Sequence, residues 1–235
     1  MNNICIIPAR GGSKRIPGKN IKDFLGKPII AYSILAAKES GLFSEIMVST
    51  DCDDIANISR EYGATVPFMR SDKNSDDFAT TADVLREVLL EYMAKGSEFK
   101  HACCLYPAAP LVTSEKLIES YEVLNIKKFD SLFPVIEYSS SIYRSFKLDD
   151  DRVEMNWPEY ADVRTQDLNK SYYDSGQFYW FDTREFILTG DVINNNCGGF
   201  PISEIDSQDI DNETDWLLAE MKYNLKVSKK NINEN

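Results

Sequence analysis

The stretch ICIIPARGGSKRIPGKN, residues 4–20, decides the fold. Its apolar start, Ile4 to Ile7, has the length and character of a buried strand. The run stops at Pro8 and opens into a loop with three glycines and four cations, Arg10, Lys14, Arg15 and Lys19. Glycines let backbone N–H groups approach a ligand closely. Cations and free N–H groups together make an anion cradle. A strand ending in such a loop, at the carboxyl edge of an α/β sheet, is where nucleotide phosphates sit. Two familiar phosphate motifs do not fit. A Walker loop places four residues between its first glycine and its Gly-Lys, then Ser or Thr. Here five separate Gly12 from Gly18, and Asn20 follows Lys19. The dinucleotide fingerprint needs a third glycine at the helix start, which Gly11 to Ile16 lacks.

Working outward, the pattern alternates strand and helix. Helices are expected over 29–39 (after Gly26-Lys27-Pro28, stopped by Gly41), 53–62 (closed by Gly63), 81–95, 114–126 with Ser114 as N-cap, and 213–223. Strands are expected over 45–50, 65–68, 101–106, 131–137 and 177–181. Such alternation implies a three-layer α/β fold with a mostly parallel sheet. Between Tyr138 and Ser175 the rhythm stops, apart from a hairpin-like stretch at 148–153. That span is too long for an ordinary connection and reads as an arm. Residues 228–235 are polar and read as a frayed tail.

Composition narrows the function. The 235 residues, 43% hydrophobic, suit one domain. Net charge is −12, yet residues 10–27 carry +5, so the remainder carries −17. That is a poor nucleic-acid surface; one basic loop on an acidic body favours a small polyanion. The five cysteines form no CxxC pair and read as small core residues in a reducing compartment. Cys103 and Cys104 are expected to face opposite sides of a strand. The single histidine, His101, argues against histidine-based catalysis and multi-histidine zinc sites. No signal peptide is evident, and no apolar run approaches the ~18 residues of a membrane span. A soluble cytoplasmic protein without membrane partners is expected.

Three further stretches carry candidate chemistry. Asp209 and Asp211 flank Ile210, and in extended backbone they face one side. Two such carboxylates suit a hard cation that also binds phosphate; an acidic helix start is the alternative, and it is the preferred reading of Glu213 and Asp215. The stretch from Tyr172 to Trp180 sets Asp174, Ser175 and Gln177 among aromatics. It suits a sugar or base site, or an ordinary strand after a turn at Gly176. Arg70 with Asp76, Asp77, Thr80 and Thr81 is a polar loop before a helix.

Residues 7–20 resemble the N-terminal signature of the cytidylyltransferases that activate acidic sugars, among them the CMP-sialic acid synthetases. Gly26-Lys27-Pro28, Ser49-Thr50-Asp51, the loop from Pro107 to Pro110, and Asp209 with Asp211 fit the same family in order. The sialic acid branch typically has Gln-Pro-Thr-Ser-Pro where this chain has Tyr106-Pro-Ala-Ala-Pro110. It also has Asn-Gly-Ala in place of the segment from Asp174 to Trp180. That segment, with the stretch from Arg164 to Leu168, is similar to the pseudaminic acid cytidylyltransferases.

The resemblance implies a nucleotide-diphospho-sugar transferase fold and transfer of CMP from CTP to a nine-carbon 2-keto sugar acid. The product would serve flagellin or surface polysaccharide glycosylation. It implies that Ala9, Arg10, Gly11, Ser13, Lys14 and Lys19 hold the triphosphate and that Asn20 helps to read cytosine. Arg70 and Thr81 would lie near the nucleotide. Asp209 and Asp211 would bind Mg2+ or Mn2+, and Arg10, Lys14, Lys19 and Asp211 would serve the reaction. Tyr106, Arg164, Asp174, Gln177 and Tyr179 are the candidate sugar contacts. The arm at 138–175 resembles the family's dimerisation arm, so a homodimer is expected. A sialic acid or Kdo-type synthetase is the nearest alternative, and a nucleotide-binding regulatory module without turnover is the other.

Overall fold

A strand that is apolar on both sides needs cover on both faces, and β1 (Asn3–Pro8) is covered on both. In the computed structural model, residues 2–233 are described, with side chains as far as Lys229. After β1 come a two-residue ladder, β2 (Asp23–Phe24) and β3 (Lys27–Pro28), then α1 (Ile29–Ser40) and β4 (Glu45–Ser49). The chain continues through α2 (Asp53–Glu61), α3 (Thr81–Ala94), β5 (His101–Leu105), α4 (Ser114–Lys127) and β6 (Ser131–Glu137). A hairpin, β7 (Phe146–Asp149) and β8 (Arg152–Met155), stands apart from the main sheet. Then follow β9 (Tyr172–Asp174), β10 (Phe178–Asp182), α5 (Thr183–Thr189), β11 (Cys197–Ile202) and α6 (Glu213–Asn233).

The sheet runs β11-β6-β10-β5-β1-β4, with β9 paired to β6. β1 is parallel to β4 and β5, and β11 is parallel to β6. β10 is antiparallel to both β5 and β6, so those two point the same way. Five strands therefore share one direction, and β10 and β9 oppose it. Side-chain alternation along β1 feeds two cores. Cys5 and Ile7 pack with Ile30 and Ile34 of α1 and Leu117 of α4. Ile4 and Ile6 pack with Leu85, Val88 and Leu89 of α3 and Phe186 of α5. Cys103 and Cys104 divide between the same two cores, as strand geometry dictates.

Four details differ from the sequence reading. Residues 65–68 give only one bridge, Met47 to Thr65, because Pro67 has no N–H to continue a ladder. The N-cap of α4 is Thr113, whose hydroxyl accepts the Lys116 N–H. β11 and α5 were not expected; Gly198, Gly199 and Pro201 disguise β11, which is tolerated as an edge strand. α6 continues to Asn233, since no glycine or proline follows Glu213 and Lys222, Lys226 and Lys229 suit a helix C-terminal half. The expected tail at 228–235 is thus helical to Asn233, and residues 234–235 lie outside the described ones.

β11 lies so close to the turn after α4 that a Cβ on Gly198 would fall 2.3 Å from the Phe129 ring. Gly198→Ala is therefore expected to cost about 1–3 kcal/mol of stability in urea unfolding. Gly199→Ala, whose Cβ would meet Val135 at 3.2 Å, is expected to cost less.

Candidate active site

The carboxyl ends of β1, β4, β5 and β6 and the start of β10 lie along one edge of the sheet. His101, at the other end of β5, is buried and hydrogen-bonded to the Tyr121 hydroxyl at 3.1 Å, away from that edge.

The loop after β1 is held from several sides. Ile16 is buried with Phe24, Ile29, Ile210, Trp216 and Ala219. The Gly11 N–H donates to Asp51 Oδ1 at 2.8 Å, and a Cβ there would lie 3.0 Å from the Cys52 Cβ. Asn20, also buried, donates from Nδ2 to the Arg10 carbonyl at 2.9 Å. Gly18, at φ +63°, turns the chain into the short helical segment Lys19–Ile21. Arg10, Lys14, Arg15 and Lys19 are left at the surface or partly exposed.

Each of these cations meets an acceptor. Arg10 Nη1 lies 3.0 Å from Asp77 Oδ1 and 3.0 Å from the Asp76 carbonyl. Lys14 pairs with the other oxygen of the same Asp77 carboxylate. The Lys14 hydrogen bond and charge, with Arg10 adding to them, hold the Asp77 carboxyl below its usual range. Arg15 Nη1 lies 2.7 Å from Asp211 Oδ2. Lys19 Nζ donates to the Ile210 carbonyl at 2.8 Å. Burial lowers the Lys19 pKa, and Asp211 and Asp209 oppose that shift. The chain crowds Asp209 enough for desolvation to raise its carboxyl, with the Asp211 charge adding to this and Lys19 opposing it.

The candidate sugar side adjoins this pair. A Cβ on Gly176 would lie 3.8 Å from Asp209 Cγ. Asp174 accepts the Gly176 N–H at 2.9 Å and the Tyr179 hydroxyl at 2.6 Å. Burial first, and Asp174 second, push the Tyr179 phenol far up. The Tyr106 and Tyr179 rings stand 5.7 Å apart, and Tyr106 Oη is 3.3 Å from Thr81 Oγ1.

The structure thus gathers most of the expected residues, but several are committed inward. Ala9 is fully buried, and its N–H donates to the Ser49 carbonyl at 2.9 Å. Arg70 is buried, with bonds to Ser49 Oγ at 3.0 Å and the Ser49 carbonyl at 2.6 Å. Gln177 is buried and gives its amide to the Asp206 carbonyl at 2.8 Å. Arg164 is not gathered; it is exposed on the arm and pairs with Asp167 of its own turn at 2.8 Å. Sequence reasoning missed Asp77 as the partner of two loop cations, and no local signal marks it. It also missed Lys222 and Lys226 of α6, although their spacing with Ala219 and Tyr223 places them toward the core.

The family described as Cytidylyltransferase matches residues 4–221. A pseudaminic acid cytidylyltransferase of Campylobacter jejuni is 38% identical, covering 95% of this chain and 97% of that protein. A CMP-N,N'-diacetyllegionaminic acid synthase of Legionella pneumophila is 30% identical, covering 94% and 95%. Among solved structures, CMP:2-keto-3-deoxy-manno-octonic acid synthetase complexed with CTP superposes with a TM-score of 0.68 at 16% identity, covering 97% of this chain and all of that one.

The Asp77 carboxylate occupies Arg10 and Lys14 and would compete with any anion offered to them. Asp77→Asn is expected to bind inorganic triphosphate about two- to fivefold more tightly in calorimetry, the scale of an exposed ion pair. Unchanged or weaker binding would show that these cations do not receive the anion.

Proposed function

The chain belongs to the cytidylyltransferase family of nucleotidyltransferases, and from that premise we propose that it transfers CMP from CTP to pseudaminic acid, releasing pyrophosphate. The observation that carries this reading is the meeting, at one sheet edge, of the cationic loop with Asp209 and Asp211. The choice of sugar is supported by the name and near end-to-end match of the Campylobacter relative.

Arg10, Ser13, Lys14, Lys19 and the Gly11 region receive the triphosphate. Asn20, Arg70 and Thr81 serve the nucleoside side, the first two by fixing the backbone beside it. Tyr106, Asp174 and Tyr179 face the sugar acid, and Gln177 supports them from behind. The anomeric oxygen of the sugar bonds to the α-phosphorus as the bond to the bridging oxygen of pyrophosphate breaks; the hydroxyl proton passes to solvent. Positioning and charge neutralisation carry the rate, with little covalent help from the protein.

Asp209 and Asp211 offer only oxygen donors, and desolvation and mutual repulsion at Asp209 favour a cation beside it. Among the described residues no cluster of three or more His, Cys, Asp or Glu forms a complete cage. The pair fits Mg2+, which keeps several waters and takes further ligands from substrate phosphates. When bound, the ion supplies charge neutralisation at the phosphates.

We further assign the arm at 138–175 to homodimer formation. Its hairpin exposes Phe146, Leu148 and Val153, and Trp157 follows it. Dimerisation is also what would bring Arg164 to a sugar carboxylate. A monomer by light scattering at micromolar concentration would contradict this. Among the described residues no helix is long and apolar enough to cross a membrane.

The test is pyrophosphate release with CTP and Mg2+, offering pseudaminic, N-acetylneuraminic, legionaminic and Kdo acids in parallel. Release with pseudaminic acid is expected. Release with another acid alone refutes the sugar, and tight CTP binding without turnover on any of them favours the regulatory-module reading. Lys19→Ala is expected to weaken CTP binding about 10- to 150-fold, the loss of one charge-assisted hydrogen bond of ~1.5–3 kcal/mol. Asp211→Ala is expected to abolish release.

A further inference from the structure

The Asp209–Asp211 segment is not held by its own secondary structure. It follows a short helical turn, Glu204–Asp206, and runs without ladder partners to α6. Side chains from elsewhere hold it instead. Lys222 Nζ, from α6, donates to the Glu204 carbonyl at 3.0 Å and the Ser207 carbonyl at 2.7 Å. Lys226, one turn on, pairs with Asp206 Oδ1 at 2.8 Å and reaches the Leu111 carbonyl at 3.2 Å. Ser207 Oγ donates to the Ser175 carbonyl at 3.1 Å, and Gln177 holds the Asp206 carbonyl.

Lys222 is the central member of this set, because it grips the turn at both ends. Ser207 is two residues from Asp209, a reach of at most ~7 Å, so its placement limits where that carboxylate can go. Lys222 is half-buried, which shields its bonds from water. Lys222 spends its donors on backbone carbonyls of the turn, and Lys226 spends its own on Asp206 and Leu111.

Resting on the reading of Asp209 and Asp211 given above, we propose that Lys222 is a positioning residue: it sets the carboxylate pair for its divalent cation without touching cation or substrate. Lys222 holds the backbone two residues before Asp209 rather than the carboxylate itself, so its loss belongs at the low end of the about 10- to 100-fold in metal affinity that groups bonded directly to metal ligands cost. A purely structural lysine would lower stability and leave the cation requirement unchanged.

The experiment compares wild type, Lys222→Met and Lys222→Arg by calorimetry of CTP, first without metal and then across an Mg2+ titration, with thermal unfolding alongside. Lys222→Met is expected to keep metal-free CTP affinity within about twofold and to raise the half-saturating Mg2+ about tenfold. Lys222→Arg, which keeps donors, is expected to recover most of that change. A folded Lys222→Met with the wild-type Mg2+ midpoint overturns the proposal, and so does an equal loss of metal-free affinity. If Lys222→Met does not fold, Lys222→Gln, which keeps one donor, is read on the same titration against the same expectations. Wild-type CTP binding indifferent to Mg2+ would instead overturn the carboxylate-pair reading itself, and this proposal with it.

Discussion

Burial of Ile16 and Ile210 in one apolar cluster is the constraint on which the site depends. Both are about 1% exposed, and they belong to one cluster with Phe24, Ile29, Trp216 and Ala219. Each contributes roughly 1.5–3 kcal/mol by leaving water. The ion pair of Arg15 with Asp211 is exposed, and such pairs contribute roughly 0–1 kcal/mol. The shared apolar cluster, not the charge attraction, therefore holds the two distant segments together. Their charged neighbours cannot follow the isoleucines inward. Arg15 emerges beside Asp211, and Lys19 reaches back to the Ile210 carbonyl. One buried cluster thus sets cations and carboxylates face to face.

That arrangement also orders the rest of the edge. The turn that carries Asp174 and Gly176 abuts Asp209, and Gln177 and Ser207 tie this turn to the acidic segment. α6 closes the group from outside, through Trp216 in the cluster and through its two lysines on the preceding turn. Mixed charge within a short span is what a nucleoside triphosphate requires: cations for the phosphates, and carboxylates for a metal ion that shares those phosphates. A loop rich only in lysine and arginine would lack the second half.

Much of this was legible in the chain. The apolar runs of β1, β5 and β6 and the glycine stops after α1 and α2 name their elements locally. The loop cations and the Asp-Ile-Asp pattern name the candidate site. What stayed hidden was decided by tertiary partners. Gly198, Gly199 and Pro201 carry no strand signal of their own, yet pairing with β6 makes them a strand. Gln177 reads as a polar ligand contact, yet its amide is used by the Asp206 carbonyl. Asn20 likewise spends its amide on a backbone carbonyl, and Arg70 spends its donors on the hydroxyl and carbonyl of Ser49. Lys222 has no motif around it, because its partners are backbone atoms that carry no sequence signal.

The most direct test is calorimetry of CTP with and without Mg2+, on the wild-type protein and on one carrying Asp209→Asn and Asp211→Asn together. If the loop and the acidic segment form one triphosphate site, Mg2+ tightens CTP in the wild type and no longer does so in the double variant. Equal tightening in both proteins would contradict the account, because the cation would then be held without the carboxylates that Ile210 sets in place.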